Sequence, residues 1–224
     1  MTRAWGPIIA AAAGVLALTA CASSDGSDMG QYGQVVRQIF RGGFGKAGVT
    51  LKQAAAIPYA SMGWRLNGGN QNIIVLATDN EQGQLWTSAA HIVFLTQDGR
   101  IKRTVGLAHD MAALAPHGSG AMIAPARALT GAYSEQRTAD FPDAGTFNVA
   151  LDCRGVARGA QSVVILGKRI AATRVEEHCE ARTIGWSFTN VYWVDRESGF
   201  VWRSLQHIHP HGETIETEIF RPPG

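Results

Sequence analysis

The sequence predicts a mainly β protein: a large, mostly antiparallel sheet curled into an open barrel or folded sandwich, preceded by a short N-terminal helical segment. Three observations carry that prediction. From Pro58 onward apolar residues recur with a period of two rather than 3.6. The runs are separated by Gly, Asn and Asp, and the 26 glycines follow no three-residue period, which is turn chemistry rather than collagen. The runs number roughly ten or eleven, more than a twisted sheet carries without curling or splitting. Composition agrees with a single packed domain. Of 224 residues 46% are apolar, among them eight Phe and six Trp, which supports a core and argues against disorder. Twenty basic against eighteen acidic residues leave a net charge of +2. No long run of either sign appears, whereas a dedicated nucleic-acid binder usually shows a basic face or stripe, so no nucleic-acid partner is expected.

Element by element, Tyr32, Val35, Val36, Ile39 and Phe40 fall at helical spacing and predict an amphipathic helix, ended by Gly42, Gly43 and Gly45. Thr50-Leu-Lys-Gln53 is a capping-box pattern and predicts a short helix over about 51–56. Pro58 prevents its extension, because the proline ring clashes with the preceding turn. Strands are predicted at 59–66, 73–78, 84–88, 91–97 and 100–105. The last two are joined by Asp98-Gly99, which supplies the positive φ angles of a tight hairpin. Residues 106–143, broken by Pro116, Gly118, Gly120 and Pro125, read as a loop-rich crossover with a short helix near 111–114. Strands resume at 145–152, 161–166, 169–177, 181–195, 200–207 and 213–220.

The first twenty residues are an address. Arg3 provides a positive start and 8–18 an apolar run of about eleven residues, the length of a signal peptide core and short of the ~20 needed to span a bilayer. Leu18-Thr-Ala-Cys21 resembles the bacterial lipobox, in which the cysteine is acylated and becomes the new N-terminus. The alternatives are an ordinary secretory signal with a chance cysteine, or a buried helix. With Cys21 lipidated, Ala22 rather than Asp after it favours the outer membrane by the bacterial sorting rule. Residues 21–33 read as a flexible tether and 34–224 as one β-rich periplasmic domain. Cys153 and Cys179 then remain as an even pair in an oxidising compartment, and a disulfide between them is expected. In a simple meander a whole strand, 161–166, would separate them. That spacing is about 9.5 Å against the ~7 Å limit for a bridge, so the chain must bend past the strand ends.

Two blocks resemble a known family. The first comprises Ile57-Pro-Tyr-Ala-Ser61, Asn72-Ile-Ile-Val-Leu-Ala77, Leu85-Trp-Thr-Ser-Ala89, Thr96-Gln-Asp-Gly-Arg100 and Gly106-Leu107. The second comprises Phe188-Thr-Asn-Val-Tyr-Trp-Val-Asp195, Gly199-Phe-Val-Trp-Arg-Ser-Leu-Gln206 and Arg221-Pro-Pro223. Their order and content resemble the YjbF/GfcB family of outer-membrane lipoproteins of exopolysaccharide and group 4 capsule loci. The resemblance implies a lipid-anchored, β-rich accessory protein of polysaccharide assembly or secretion, with no catalytic motif to carry over. It also implies partners: the outer membrane, an outer-membrane barrel protein, periplasmic secretion proteins and a polysaccharide.

The remaining constellations are weighed on their chemistry. His207, His209 and His211 alternate as on one strand face, a spacing compatible with Zn²⁺ or Cu²⁺. Pro210 interrupts the ladder and no acidic or thiol ligand lies in the run, so the expectation is a solvated strand end, with no metal and no cofactor. No Gly-x-Ser-x-Gly or P-loop occurs. The adjacent Glu176 and Glu177 point to opposite faces of a strand and Asp195 sits at a turn, so no carboxylate pair for glycoside cleavage is set up. The expected role is binding, not catalysis. Trp86 and Trp193 lie in alternating β-branched surroundings that favour the core. Together with Trp202 and Arg203 they are also the candidates for glycan or partner contact. Arg65, Arg100, Lys102 and Arg103 can make a basic sheet face for an acidic polysaccharide; the expected reading is instead a solvated, charge-studded face. The runner-up role is a lipid or lipoprotein carrier with an apolar half-barrel, for which Ile73-Ile-Val-Leu-Ala77, apolar on both faces, is the supporting feature.

Overall fold

A computed structural model describes residues 48–224. The leader, Cys21, the 21–33 tether and the helix expected around 32–40 lie outside the described residues. The described chain begins with the predicted capping box: Gln53 N–H donates to Thr50 Oγ1 at 3.3 Å, and Thr50 N–H donates to Gln53 Oε1 at 2.8 Å. These bonds start α1 (Leu51–Ala55).

Fourteen strands follow among the described residues: β1 (Ser61–Leu66), β2 (Asn72–Asn80), β3 (Gly83–Thr87), β4 (Val93–Gln97), β5 (Arg100–Val105), β6 (Ala113–Pro116), β7 (Tyr133–Phe141), β8 (Thr146–Ala160), β9 (Val163–Ile165), β10 (Lys168–Ile170), β11 (Thr173–Ala181), β12 (Trp186–Val194), β13 (Val201–His207) and β14 (Thr214–Arg221). Twelve make one antiparallel sheet in the order β5-β4-β3-β2-β1-β14-β13-β12-β11-β8-β7-β6. Its two ends meet. Thr104 N–H donates to Met111 O at 2.9 Å, Met111 N–H to Thr104 Oγ1 at 2.9 Å, and Arg103 Nε to Ala112 O at 2.7 Å. The sheet is thereby nearly closed into a barrel, which removes the exposed edges of an open sheet.

Strand alternation fills the inside. Met62, Trp64, Ile74, Trp86, Phe94, Phe141, Leu151 and Ile215 belong to one buried cluster. On β2 the apolar run is buried on both faces because α1 packs outside the wall. Ile74 joins the interior cluster, whereas Ile73 and Val75 pack with Ala54 and Ile57. Helix packing therefore accounts for the feature that supported a lipid-holding half-barrel. A 3-10 helix, Pro125–Thr130, closes one rim of the barrel, its Ala128 packing on Tyr133, Val175, Tyr192 and Val194. The β4–β5 and β12–β13 turns share that rim. The β5–β6 loop and the β7–β8 and β13–β14 turns lie at the other.

Several boundaries differ from the sequence reading, each for a physical reason. Residues 106–143 are not a loop-rich crossover with a helix at 111–114. They contain β6, the rim helix and β7. On β7 the inward positions include Tyr133, Glu135 and Arg137 as well as Ala139 and Phe141, so its period of two is written partly in charged residues. The strand expected at 145–152 runs on to Ala160. Gly155 lies within the extension as a packing device, since a Cβ there would sit 2.2 Å from a Tyr133 ring carbon. The strand expected at 181–195 starts at Trp186, after a 3-10 turn (Arg182–Ile184) that Gly185 ends with a φ of 64°.

The disulfide forms by a different route from the one foreseen. β9 and β10 leave the barrel as a separate two-stranded hairpin. β8 then pairs directly with β11, with Cys153 opposite Cys179 in register. The two Cα atoms are 4.1 Å apart and the sulfurs are bonded. No intervening strand has to be bridged.

Candidate functional site

The inside of the barrel holds an ion cluster as well as hydrocarbon. Glu177, at an inward position of β11, is fully buried, and Arg100 on β5 and Arg137 on β7 are each 1% exposed. Arg137 forks onto Glu177, Nη1 to Oε2 at 2.9 Å and Nη2 to Oε1 at 2.5 Å. Its other edge binds Glu135 Oε2, with Nε at 2.8 Å. Arg100 Nη2 reaches Glu177 Oε1 at 2.5 Å and Arg100 Nη1 donates to Ile123 O at 2.8 Å. Tyr133 OH donates to Glu177 Oε1 at 2.7 Å. Tyr192 lies against Glu177 Oε2 at 3.4 Å.

Burial works to raise the Glu177 pKa, but the Arg100 and Arg137 guanidiniums and the Tyr133 hydroxyl more than reverse it, holding the carboxyl far below the usual range. Burial, then the Glu177 charge, pushes both tyrosines well above their ordinary value. Glu177 Oε1 takes three donors and Oε2 the second arm of Arg137, so the carboxylate stays ionised near neutral pH. The cluster is a cross-brace linking β5, β7, β11 and β12.

Beside this brace, at the rim carrying the Pro125–Thr130 helix, a cavity of about 300 Å³ opens between the β4–β5 and β12–β13 turns. Met62, Phe200 and Ile219 give it apolar walls, and Gln84, Thr96 and Thr217 place amide and hydroxyl groups among them. Thr96 Oγ1 accepts from Trp86 Nε1 at 2.9 Å, and Thr217 shares a 2.6 Å hydrogen bond with Ser204. The cavity thus offers apolar surface interleaved with fixed hydroxyl and amide groups.

The structure separates the residues that the sequence grouped. Trp86 is 1% exposed and lines the inner wall of this cavity. Trp202 is half-buried and meets Phe200 edge-on, with ring centroids 4.9 Å apart, so it backs the same cavity. Trp193 and Arg203 lie on the outer face, not in the core. The Arg203 guanidinium sits 5.0 Å from the Trp193 ring centroid, and its Nη2 is 2.7 Å from Glu216 Oε1. Trp193 Nε1 donates to Gln161 Oε1 on the excursion that carries the β9–β10 hairpin, at 3.1 Å.

The basic face does not form as one surface. Arg100 points into the barrel, Arg65 pairs with Glu216 at 3.9 Å, and Lys102 Nζ donates to Gln97 Oε1 at 2.9 Å. Nor do the three histidines share a strand face, because β13 ends at His207 and His209 and His211 lie in the following turn. The Glu177 brace was missed. Its only sequence signal was the placement of Arg100, Arg137 and Glu177 on inward parities of strands that are remote in sequence.

Fold and site define a small, nearly closed β-barrel with a braced interior and one amphipathic mouth. The chain belongs to the YjbF family, described as group 4 capsule polysaccharide lipoprotein gfcB, YjbF, which matches residues 37–220. It is 23% identical over 175 residues to the uncharacterised lipoprotein GfcB of Escherichia coli K12, covering 78% of this chain and 81% of that one. It is 26% identical over 182 residues to the uncharacterised lipoprotein YjbF of the same organism, covering 80% and 84%. The crystal structure of the lipoprotein YmcC from Escherichia coli K12 has the same fold, with a TM-score of 0.65, 22% identity, and coverage of 79% of this chain and 90% of that one.

Proposed function

We propose that this protein is an accessory factor of capsule or exopolysaccharide assembly and secretion, acting by binding and not by catalysis. In this reading Cys21 carries the lipid that holds it to the outer membrane, and residues 34–224 work on the periplasmic face. Its partners are an outer-membrane barrel protein, the periplasmic secretion proteins and the polysaccharide itself. The observation that carries the reading is membership of a capsule polysaccharide lipoprotein family over residues 37–220. The geometry supports the binding half of it. The most deeply buried carboxylate, Glu177, is saturated by two guanidiniums and a phenol, which leaves it unfit as an acid or base. The rim cavity offers apolar walls and hydroxyl partners of the kind a sugar chain requires. The test is deletion of the gene under conditions that induce the polysaccharide. Surface polysaccharide is expected to fall or shorten and to recover on complementation; an unaltered amount and length profile would contradict the proposal.

A further inference from the structure

At the rim opposite the cavity, three turns distant in sequence bring imidazoles and carboxylates together. His109 comes from the β5–β6 loop, Asp143 from the 3-10 turn after β7, and His209, His211 and Glu213 from the β13–β14 connection. One ligand atom from each of His109, Asp143, His209 and His211 lies within 4.8 Å of all the others. Asp143 sits at the centre, with Oδ2 2.6 Å from His109 Nδ1 and Oδ1 3.1 Å from His209 Nε2. The His109 ring is stacked on His209 at 5.1 Å between centroids and meets His211 edge-on at 4.9 Å.

We propose that His109, Asp143, His209 and His211 form a zinc site, with Glu213 as the carboxylate that orients His209. Three imidazoles and one carboxylate are a donor set that Zn²⁺ accepts in tetrahedral geometry. Ligand atoms around Zn²⁺ stand roughly 3.4 Å apart, from bonds of ~2.0–2.1 Å. The His209–Asp143 separation already fits that edge, and the longer ones close by movement of the His109 and His211 side chains, which reach solvent. His209 is the fixed member. It is fully buried, and Phe141 packs edge-on against its ring at 5.0 Å between centroids.

Glu213 supplies a second, independent observation. Its Oε2 is buried, makes no hydrogen bond, and lies 3.6 Å from His209 Nδ1. That nitrogen accepts from the His211 N–H at 3.2 Å, which leaves the His209 proton on Nε2. Zinc bound at Nε2 requires the proton on Nδ1 instead; the His211 N–H then gives up that acceptor as the exposed turn shifts, and Glu213 Oε2 is the acceptor within reach of Nδ1. This is the carboxylate–histidine–metal arrangement that fixes a ligand tautomer. With four ligands from the protein, the site is of the closed, structural type. It staples the seam where β5 meets β6 to the turns that precede β8 and β14. The other cysteine and carboxylate grouping, Cys153, Cys179 and Glu177, is not a competitor, since its sulfurs are bonded to each other.

The test is zinc alone, titrated in competition with a chromophoric chelator into the full chain, purified in detergent and stripped of metal. One equivalent per chain is expected, together with a rise in melting temperature. The double variant His109→Ala/His211→Ala removes two solvent-accessible ligands and spares the buried His209. It is expected to fold, as checked by circular dichroism, and to lose the equivalent. Glu213→Gln is expected to weaken zinc by about 10–100-fold, and His207→Ala to leave it unchanged. Absence of a stoichiometric equivalent in the native chain, or equal zinc in the double variant, would overturn the proposal. Neither result bears on polysaccharide binding at the opposite rim.

Discussion

At the scale of single residues, Glu177 is the position on which most of the interior depends. Two buried guanidiniums, Arg100 and Arg137, share its carboxylate, so removing the negative charge leaves Arg100 buried without its carboxylate and Arg137 with Glu135 alone. Loss of one partner from a buried ion group costs about 3–5 kcal/mol, and Glu177→Gln is expected to lower the stability of the chain by that order in denaturant melts. The pH dependence has a definite sign. Glu177 is held below its ordinary pKa, so its contribution is complete above the unfolded value near ~4.3 and is lost progressively as the pH falls below it. The native chain is therefore expected to lose stability steadily from about pH 4.5 downward, and Glu177→Gln to flatten that slope. An equal slope in both proteins would show that the brace is not the acid-sensitive element.

At the scale of elements, the pairing of β8 with β11 determines both the brace and the disulfide. Because Cys153 and Cys179 are register partners, non-reducing peptide mapping is expected to yield one linked peptide. The bridge closes a loop with a sequence separation of 26 residues, which chain entropy values at about 3.5 kcal/mol. Reduction is expected to lower the melting temperature accordingly. Two freely alkylated thiols in the native protein would contradict the pairing.

The same region shows why some elements were legible and others were not. The capping box of α1, the Asp98-Gly99 hairpin and the strands of the first meander follow from local chemistry, and each stands where the residues place it. β7 did not, because Glu135 and Arg137 occupy positions that a local pattern assigns to solvent and only a partner strand makes internal. The excursion of β9 and β10 is likewise non-local. Val163-Val164-Ile165 is a β-branched run like that of any strand, and nothing in it reveals that the chain leaves the barrel and returns.

At the scale of the whole molecule, the barrel is nearly closed, internally braced and differentiated at its two ends. One rim holds the cavity and the other the histidine cluster. The mainly β class and the curling of one large antiparallel sheet were readable from the number and period of the strands. Neither rim was, because each gathers side chains from turns far apart in sequence. The histidine run showed two members of its cluster, but His109 and Asp143 arrive from other connections, and His207 is not part of it. The lipid-carrier alternative loses its sequence support once α1 is seen to cover Ile73 and Val75. An interior crossed by Arg100, Arg137 and Glu177 is also a poor solvent for acyl chains.

The proposed function requires that the protein bind a polysaccharide at the cavity rim and leave it chemically intact. Its most direct test is calorimetric titration of the full chain in detergent with oligosaccharides released from the producing strain's own capsule or exopolysaccharide, followed by mass spectrometry of the recovered sugar. Saturable binding is expected. Phe200→Ala, which removes an apolar wall of the cavity, should weaken it about tenfold, equivalent to roughly 1.4 kcal/mol, and the sugar should be recovered unaltered. Absence of saturable binding, or a cleaved or modified oligosaccharide, would contradict the account.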